Sequence, residues 1–156
     1  MNLTAIAKKV FSGDLYATQT TGIEILAVDE NRTLCRLALS AAHRNAKGNV
    51  MGGVIFTLAD FAFAIAANAP ILAQSTEEDT PLLQWVSSSS TIHFLSPPKG
   101  DTLTATTSVI RQGRSQAVIQ INVTDSQQRN VALVTTSGTR IVTCETNAPA
   151  TNAITH

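Results

Sequence analysis

At 156 residues the chain has the length of one domain, and a domain of that size can hold a core without a disulfide or a structural metal. Hydrophobic residues make up 44% and charged residues 14%, against a usual charged share of about 25%, which argues against disorder and for a neutral surface rich in Thr and Ser. Eleven Lys and Arg balance eleven Asp and Glu, and with no basic excess the chain does not read as a nucleic-acid or polybasic membrane binder.

Leu3, Ile6, Ala7, Val10 and Phe11 have helical spacing, and Ser12-Gly13-Asp14 ends this short helix. Residues 22–40 read as a hairpin. Ile23, Ile25 and Ala27 alternate, Asp29 to Arg32 turns, and Leu34 to Leu39 returns. His43 to Met51 is a polar loop. A long apolar helix begins at about Gly52-Gly53, and Gln74 to Pro81 is an acidic loop. Four strands follow: Leu82 to Leu95, Thr102 to Arg111, Ser115 to Thr124 and Val131 to Val142. In the second of these Leu103, Ala105, Thr107 and Val109 share a face; in the third Ala117, Ile119, Ile121 and Val123 do. The chain thus divides into an N-terminal helix (1–14), a main domain (15–143) and a polar, patternless tail (144–156).

Gly52 to Ala73 is long enough to cross a membrane. Asp60 sits near its middle, where a carboxylate costs about 2.5–3.5 kcal/mol, and Pro70 interrupts the run. The segment reads instead as a helix buried in a globular fold. The expected architecture is α+β: a curved antiparallel sheet wrapped around one long apolar helix. A sheet cannot close fully around a helix, so a second copy of the chain is the natural cover for what remains.

Cys35 and Cys144 lack metal spacing and read as buried thiols; His43, His93 and His156 are scattered, so no metal site is expected. The first residues have no basic region followed by an apolar run, and a cytoplasmic location is the default.

Two features carry chemistry. Gly52 and Gly53 open the long helix, where free backbone N–H groups and the helix dipole can polarise a carbonyl oxygen. The alternative is that they make a tight turn and close packing. Asp60 is the lone carboxylate of an apolar helix. It is either held by a hydrogen bond from the sheet or serves as a general base or nucleophile in a partly desolvated pocket. Asn45 and the run Ser87 to Ser90 are candidate hydrogen-bond partners, and strand polarity alone also accounts for most of those serines.

The stretch Asn45-x-x-Gly48-x-x-Met51-Gly52-Gly53, followed by Phe56-x-Leu58-Ala59-Asp60, resembles the signature of hotdog-fold acyl-CoA thioesterases of the phenylacetic-acid-degradation type. Phe94-Leu95-Ser96-Pro97, Gly100-Asp101-Thr102-Leu103 and Gly113-Arg114-Ser115 are similar to that family too, over about residues 15–142. The resemblance implies a hotdog fold and a cofactor-free hydrolysis of an acyl-CoA. The Gly52 N–H would bind the thioester carbonyl and Asp60 would act as base or nucleophile. Asn45 would hold the carbonyl or the water, and Ser87 would position the water or the acid. Met51 and Gly53 would line the substrate site. Arg111, Gly113, Arg114 and Ser115 would meet the coenzyme A phosphates and pantetheine. The family commonly has His before the two glycines where this chain has Met51, a weak acceptor that donates no hydrogen bond.

Gly52 and Asp60 are eight residues apart, about 12 Å along a helix axis, whereas attack needs reacting atoms about 3–3.5 Å apart. Antiparallel helices across a two-fold axis would pair Gly52 of one chain with Asp60 of another. That agrees with the family's sites between subunits and implies a homo-oligomer, a dimer at least, with a tetramer of two dimers left open. Two other readings stand beside hydrolysis. One is a non-catalytic acyl-CoA binder or sensor, supported by Met51. The other is a hotdog hydratase or dehydratase, which would need a base that the helix, lacking His, does not offer.

Overall fold

In the structure, a computed structural model describing residues 2–141, the sequence folds as one antiparallel sheet against one long helix. Cys144, His156 and the expected tail lie outside the described residues. Helix α1 (Leu3–Phe11) starts at Asn2, whose side chain accepts from the Ala5 N–H, and buries Ile6, Ala7 and Phe11. Strands β1 (Ile23–Val28) and β2 (Thr33–Ala38) precede helix α2 (Gly52–Leu72); β3 (Trp85–Phe94), β4 (Thr102–Gln112), β5 (Gln116–Asp125) and β6 (Asn130–Arg140) follow it. The strands lie in the order β1-β2-β4-β5-β6-β3, so β1 and β3 are the sheet edges.

Helix α2 is the core element. Twelve of its 21 residues are buried, from Ile55 to Leu72, and an apolar helix so covered belongs to the interior of a fold. It runs two residues past Pro70, which is exposed, so Pro70 sits in its last turn rather than ending it. Phe61 meets Phe11 of α1 edge-to-face with ring centroids 5.9 Å apart. Phe63 presses on β6 at Gly138, where a Cβ would come within 2.5 Å of the Phe63 Cζ, so only a glycine leaves room for the ring.

Asn68 fixes the angle between α2 and β3. Its Oδ1 accepts from the Gln84 and Trp85 N–H groups at 3.0 and 3.1 Å, and its Nδ2 donates to the Ala64 and Trp85 carbonyls at 2.9 and 3.2 Å. With its donors and acceptor engaged, this buried amide carries little desolvation cost.

The expected strand faces hold with two exceptions, both at bulges. A bulge between Ile25 and Ala27 turns Ala27 outward and gives the buried place to Val28. A second, between Val109 and Arg111, leaves Val109 only half-buried. Between α1 and β1 lies one turn of π-helix, Tyr16–Thr21, which apolar spacing does not announce; Gly22 closes it at φ +87°.

Candidate active site

The polar loop before α2 is drawn tight by its own groups. Asn45 Oδ1 accepts from the Lys47 and Asn49 N–H groups at 3.0 and 3.1 Å, and Arg44 reaches the Gly48 carbonyl at 3.0 Å. Gly48 sits at φ +80°, a conformation that a side chain would strain. With Asn45 Oδ1 engaged in this turn, only its Nδ2 is left to meet a substrate.

Met51 occupies the N-cap of α2 and donates its N–H to the His43 carbonyl at 2.9 Å. His43 is buried. Its Nδ1 accepts from the Ser40 N–H, which leaves Nε2–H to donate to the Thr21 carbonyl at 2.8 Å. The histidine therefore ties the end of the π-helical turn to the loop entering α2. The Met51 side chain, 47% exposed, makes no cap hydrogen bond. The Met51 carbonyl accepts from Val54 and Ile55, while the N–H groups of Gly52 and Gly53, the first two residues of α2, have no acceptor among the described residues. Gly53 is exposed and Gly52 half-buried, and both stand at the positive end of the helix dipole.

A cleft of about 430 Å³ opens at this helix end. Gly52, Ile55, Val50, Phe94, Leu95 and Pro97 line it, and it is mainly apolar. Strand β3 runs antiparallel to α2, from Trp85 beside Asn68 to Phe94 beside Gly52, and so delivers Phe94 to the cleft.

Asp60 lies elsewhere. Gly53, Thr57, Asp60 and Ala64 follow helical spacing along the stripe of α2 that the sheet leaves uncovered, and none of the four is buried. Asp60 is half-buried and has no hydrogen bond or ion pair among the described residues. It lines a second cleft, of about 320 Å³, whose other wall is Asp14 to Ala17. Within one chain the two clefts are separate, and neither contains both Gly52 and Asp60.

Ser87 is exposed on edge strand β3 and paired with Gly138. A bulge between Ser87 and Ser89 matters here. Ser90 pairs with Thr136, and both Gly138 and Thr136 point inward and are buried. The extra residue therefore keeps Ser87 on the same, helix-facing side as Ser90 and Phe94. Ser88 and Ser90 are engaged with Ser137 and Thr136, which leaves Ser87 as the free hydroxyl on that side of the bulge.

Arg111, Gly113, Arg114 and Ser115 form the exposed β4–β5 hairpin, closed by the Gly113 N–H donating to the Gln116 carbonyl. Neither arginine has an ion-pair partner among the described residues. The hairpin is tied to the far half of α2, where Gln112 Nε2 donates to the Ala67 carbonyl at 2.7 Å. In one chain it therefore lies away from Gly52 by about 22 Å of helix rise, and from Asp60 by about 10 Å. Among the described residues there is no group of three His, Cys, Asp or Glu placed to hold a metal. Cys35 is buried in β2, and burial pushes its thiol up to about 12, so it is no nucleophile.

Sequence reasoning missed three lining residues. Phe94 over Gly52 was hidden because the pairing depends on the direction of β3. Asp14 and Tyr16 beside Asp60 were hidden because the π-helical turn has no apolar period.

A six-stranded antiparallel sheet around one apolar helix, with free N–H groups at the helix start and one carboxylate on its open stripe, defines a hotdog-fold thioesterase. The family model of the thioesterase superfamily matches residues 47–132, and the chain belongs to that superfamily. The acyl-coenzyme A thioesterase PaaI of Escherichia coli (strain K12) is 37% identical to it over 128 residues, 81% of this chain and 83% of the relative. The solved structure of the E. coli PaaI protein from the phenylacetic acid degradation operon matches with a TM-score of 0.72 at 33% identity, covering 90% of this chain and 97% of that one. A hypothetical thioesterase from Streptococcus pneumoniae TIGR4, solved with coenzyme A, shares the fold with a TM-score of 0.71 at 22% identity, covering 83% and 95%.

Proposed function

We propose that this protein hydrolyses acyl-CoA thioesters to the free acid and coenzyme A, in sites built from two copies of the chain. The observation that carries the reading is the pairing, on one helix, of unbonded Gly52 and Gly53 N–H groups with an unpartnered carboxylate at Asp60. The thioester carbonyl accepts from the Gly52 N–H, a donor already aimed at the place where negative charge develops. Asp60 of a second copy, brought alongside by antiparallel packing of the two open stripes, takes a proton from water or attacks the carbonyl carbon itself. With Asp60 as base, the activated water forms a tetrahedral oxyanion that expels the thiolate and leaves the free acid; with Asp60 as nucleophile, the same collapse leaves an acyl anhydride on the carboxylate, which water then hydrolyses to the free acid and Asp60. In either case the net change is water cleaving the C–S bond, with the thiolate taking up a proton as coenzyme A. Ser87 positions the water. Asn45 Nδ2 and the Met51 and Gly53 backbone border the carbonyl.

The same packing accounts for the hairpin. Opposite Gly52 of one chain stands Asp60 of the other, and that second chain's Ala67 lies about 10 Å further on. Its hairpin, with Arg111, Gly113, Arg114 and Ser115, thus stands where the coenzyme A arm leaves the site. The reading includes a cytoplasmic location and at least a homodimer, the latter supported by the uncovered stripe of α2 and the unpaired edge of β3. Hydrolysis is favoured over binding alone because the E. coli relative is named an acyl-CoA thioesterase.

A panel of acyl-CoA thioesters with free-thiol detection tests the proposal. Release of coenzyme A from at least one member at enzymatic rates supports it; tight binding without release across the panel overturns it in favour of the binder.

A further inference from the structure

The cleft beside Asp60 has a composition of its own. Its outer wall is Asp14, Leu15 and Tyr16; its floor is Asp60, Phe61 and Ala64 of α2. Leu15 and Tyr16 are 55% and 67% exposed, large apolar side chains held at a cleft rather than in the core. No Lys, Arg or His lines it. The Asp14 side chain has no hydrogen-bond or ion-pair partner among the described residues, and partial burial raises its carboxyl above the ordinary 3.8. The cleft thus offers an apolar group good contact and offers a second anion two carboxylates and no cation. A buried anion without a partner is costly, and like charges at close range add to the cost.

We propose that this cleft is the acyl chamber and that Asp14 makes it charge-selective, admitting uncharged acyl groups and turning away those that end in a second carboxylate. The proposal rests on the acyl-CoA reading above. With Asp60 at the thioester carbon and the coenzyme A arm directed to the arginine hairpin, the acyl group takes the remaining space around Asp60. Leu15, Tyr16 and Phe61 contact its carbon chain, while Asp14 faces its far end. The chemistry at Asp60 is not altered; Asp14 acts only on which acyl groups reach it.

The test compares two thioesters of equal chain length, valeryl-CoA and glutaryl-CoA, which differ in a terminal carboxylate. The readout is the ratio of kcat/KM for glutaryl-CoA to that for valeryl-CoA in the wild type, Asp14→Asn and Asp14→Lys. The wild-type ratio should be well below one. It should climb about tenfold with Asp14→Asn, the size of one like-charge repulsion across about 12 Å at an effective dielectric of about 20, and further with Asp14→Lys. Added salt should narrow the differences. Asp14 is exposed, so both variants should fold, and thermal unfolding verifies this. A purely structural or steric role would scale both substrates together. A ratio that stays flat across the three proteins overturns the charge filter while leaving hydrolysis intact. Failure of the wild type to hydrolyse any acyl-CoA, valeryl-CoA included, overturns the acyl-CoA reading and the chamber with it.

Discussion

The ring of Phe94 stands over Gly52. A Cβ built on Gly52 would lie 2.9 Å from the Phe94 Cζ and 3.2 Å from its Cε1. Phe94 is 56% exposed, so its ring can swing away from an added methyl at little cost to the fold. The same swing narrows the cleft at the mouth of α2. Gly52→Ala is therefore expected to change thermal stability within about 0.5 kcal/mol but to lower kcat/KM at least about tenfold. Shortening Phe94 to Leu in that background should restore part of the loss. Unfolding curves and steady-state kinetics on the same preparations check both halves.

Gly138 differs because its neighbours cannot move. The added methyl would meet Phe63, buried in the core, at 2.5 Å, and the Val86 carbonyl at 3.2 Å. Gly138→Ala is expected to destabilise by about 1–3 kcal/mol, as overpacking of a filled core does. Urea denaturation measures it, and an unchanged midpoint would show that β6 yields more easily than the packing implies.

Asp125 ends β5 as a buried carboxylate. Burial alone would raise its carboxyl, but N–H groups of Lys99, Arg129 and Gln127, with the Arg129 guanidinium at 3.1 Å, outweigh that and bring it from 3.8 to about 2. A depressed folded value means stabilisation present above 3.8 and lost as pH falls through about 2. The stability gap between the wild type and Asp125→Asn should therefore be constant at neutral pH and shrink below about pH 4. A gap independent of pH down to 2 would contradict this. The readout is denaturant unfolding at a series of pH values.

The hairpin arginines are expected to act on the nucleotide end of the substrate. Arg111→Gln and Arg114→Gln should raise KM for acyl-CoA, more at low salt than at high, and leave acyl-pantetheine thioesters largely unaffected. Equal losses on both substrate types would assign the arginines to the hairpin's own structure instead.

Much of the fold was legible because the sequence changes character at the right places. An apolar run opened by Gly52-Gly53 and broken by Asp60 reads as a core helix with a chemical face, and the alternation from Leu103 to Thr107 and from Ala117 to Val123 reads as half-buried strands. The bulges were not legible. Each inserts a residue without a compositional mark, so Ala27 lost its inward place to Val28, and Ser87 regained the helix side. Nor was the Asp14 wall legible, since π-helical spacing leaves no period to read. The separation of Gly52 from Asp60 could be computed from helix rise alone, and the two distinct clefts agree with it.

The central claim, that the Asp60 carboxylate performs the hydrolysis, is tested most directly by kcat of Asp60→Asn on the best substrate of the panel. Asn is nearly the same shape, sits at a half-buried position with no partner to lose among the described residues, and removes only the basic, nucleophilic oxygen. The expected result is a fall of at least about 10²-fold with an unchanged unfolding transition. Turnover near that of the wild type would contradict the assignment.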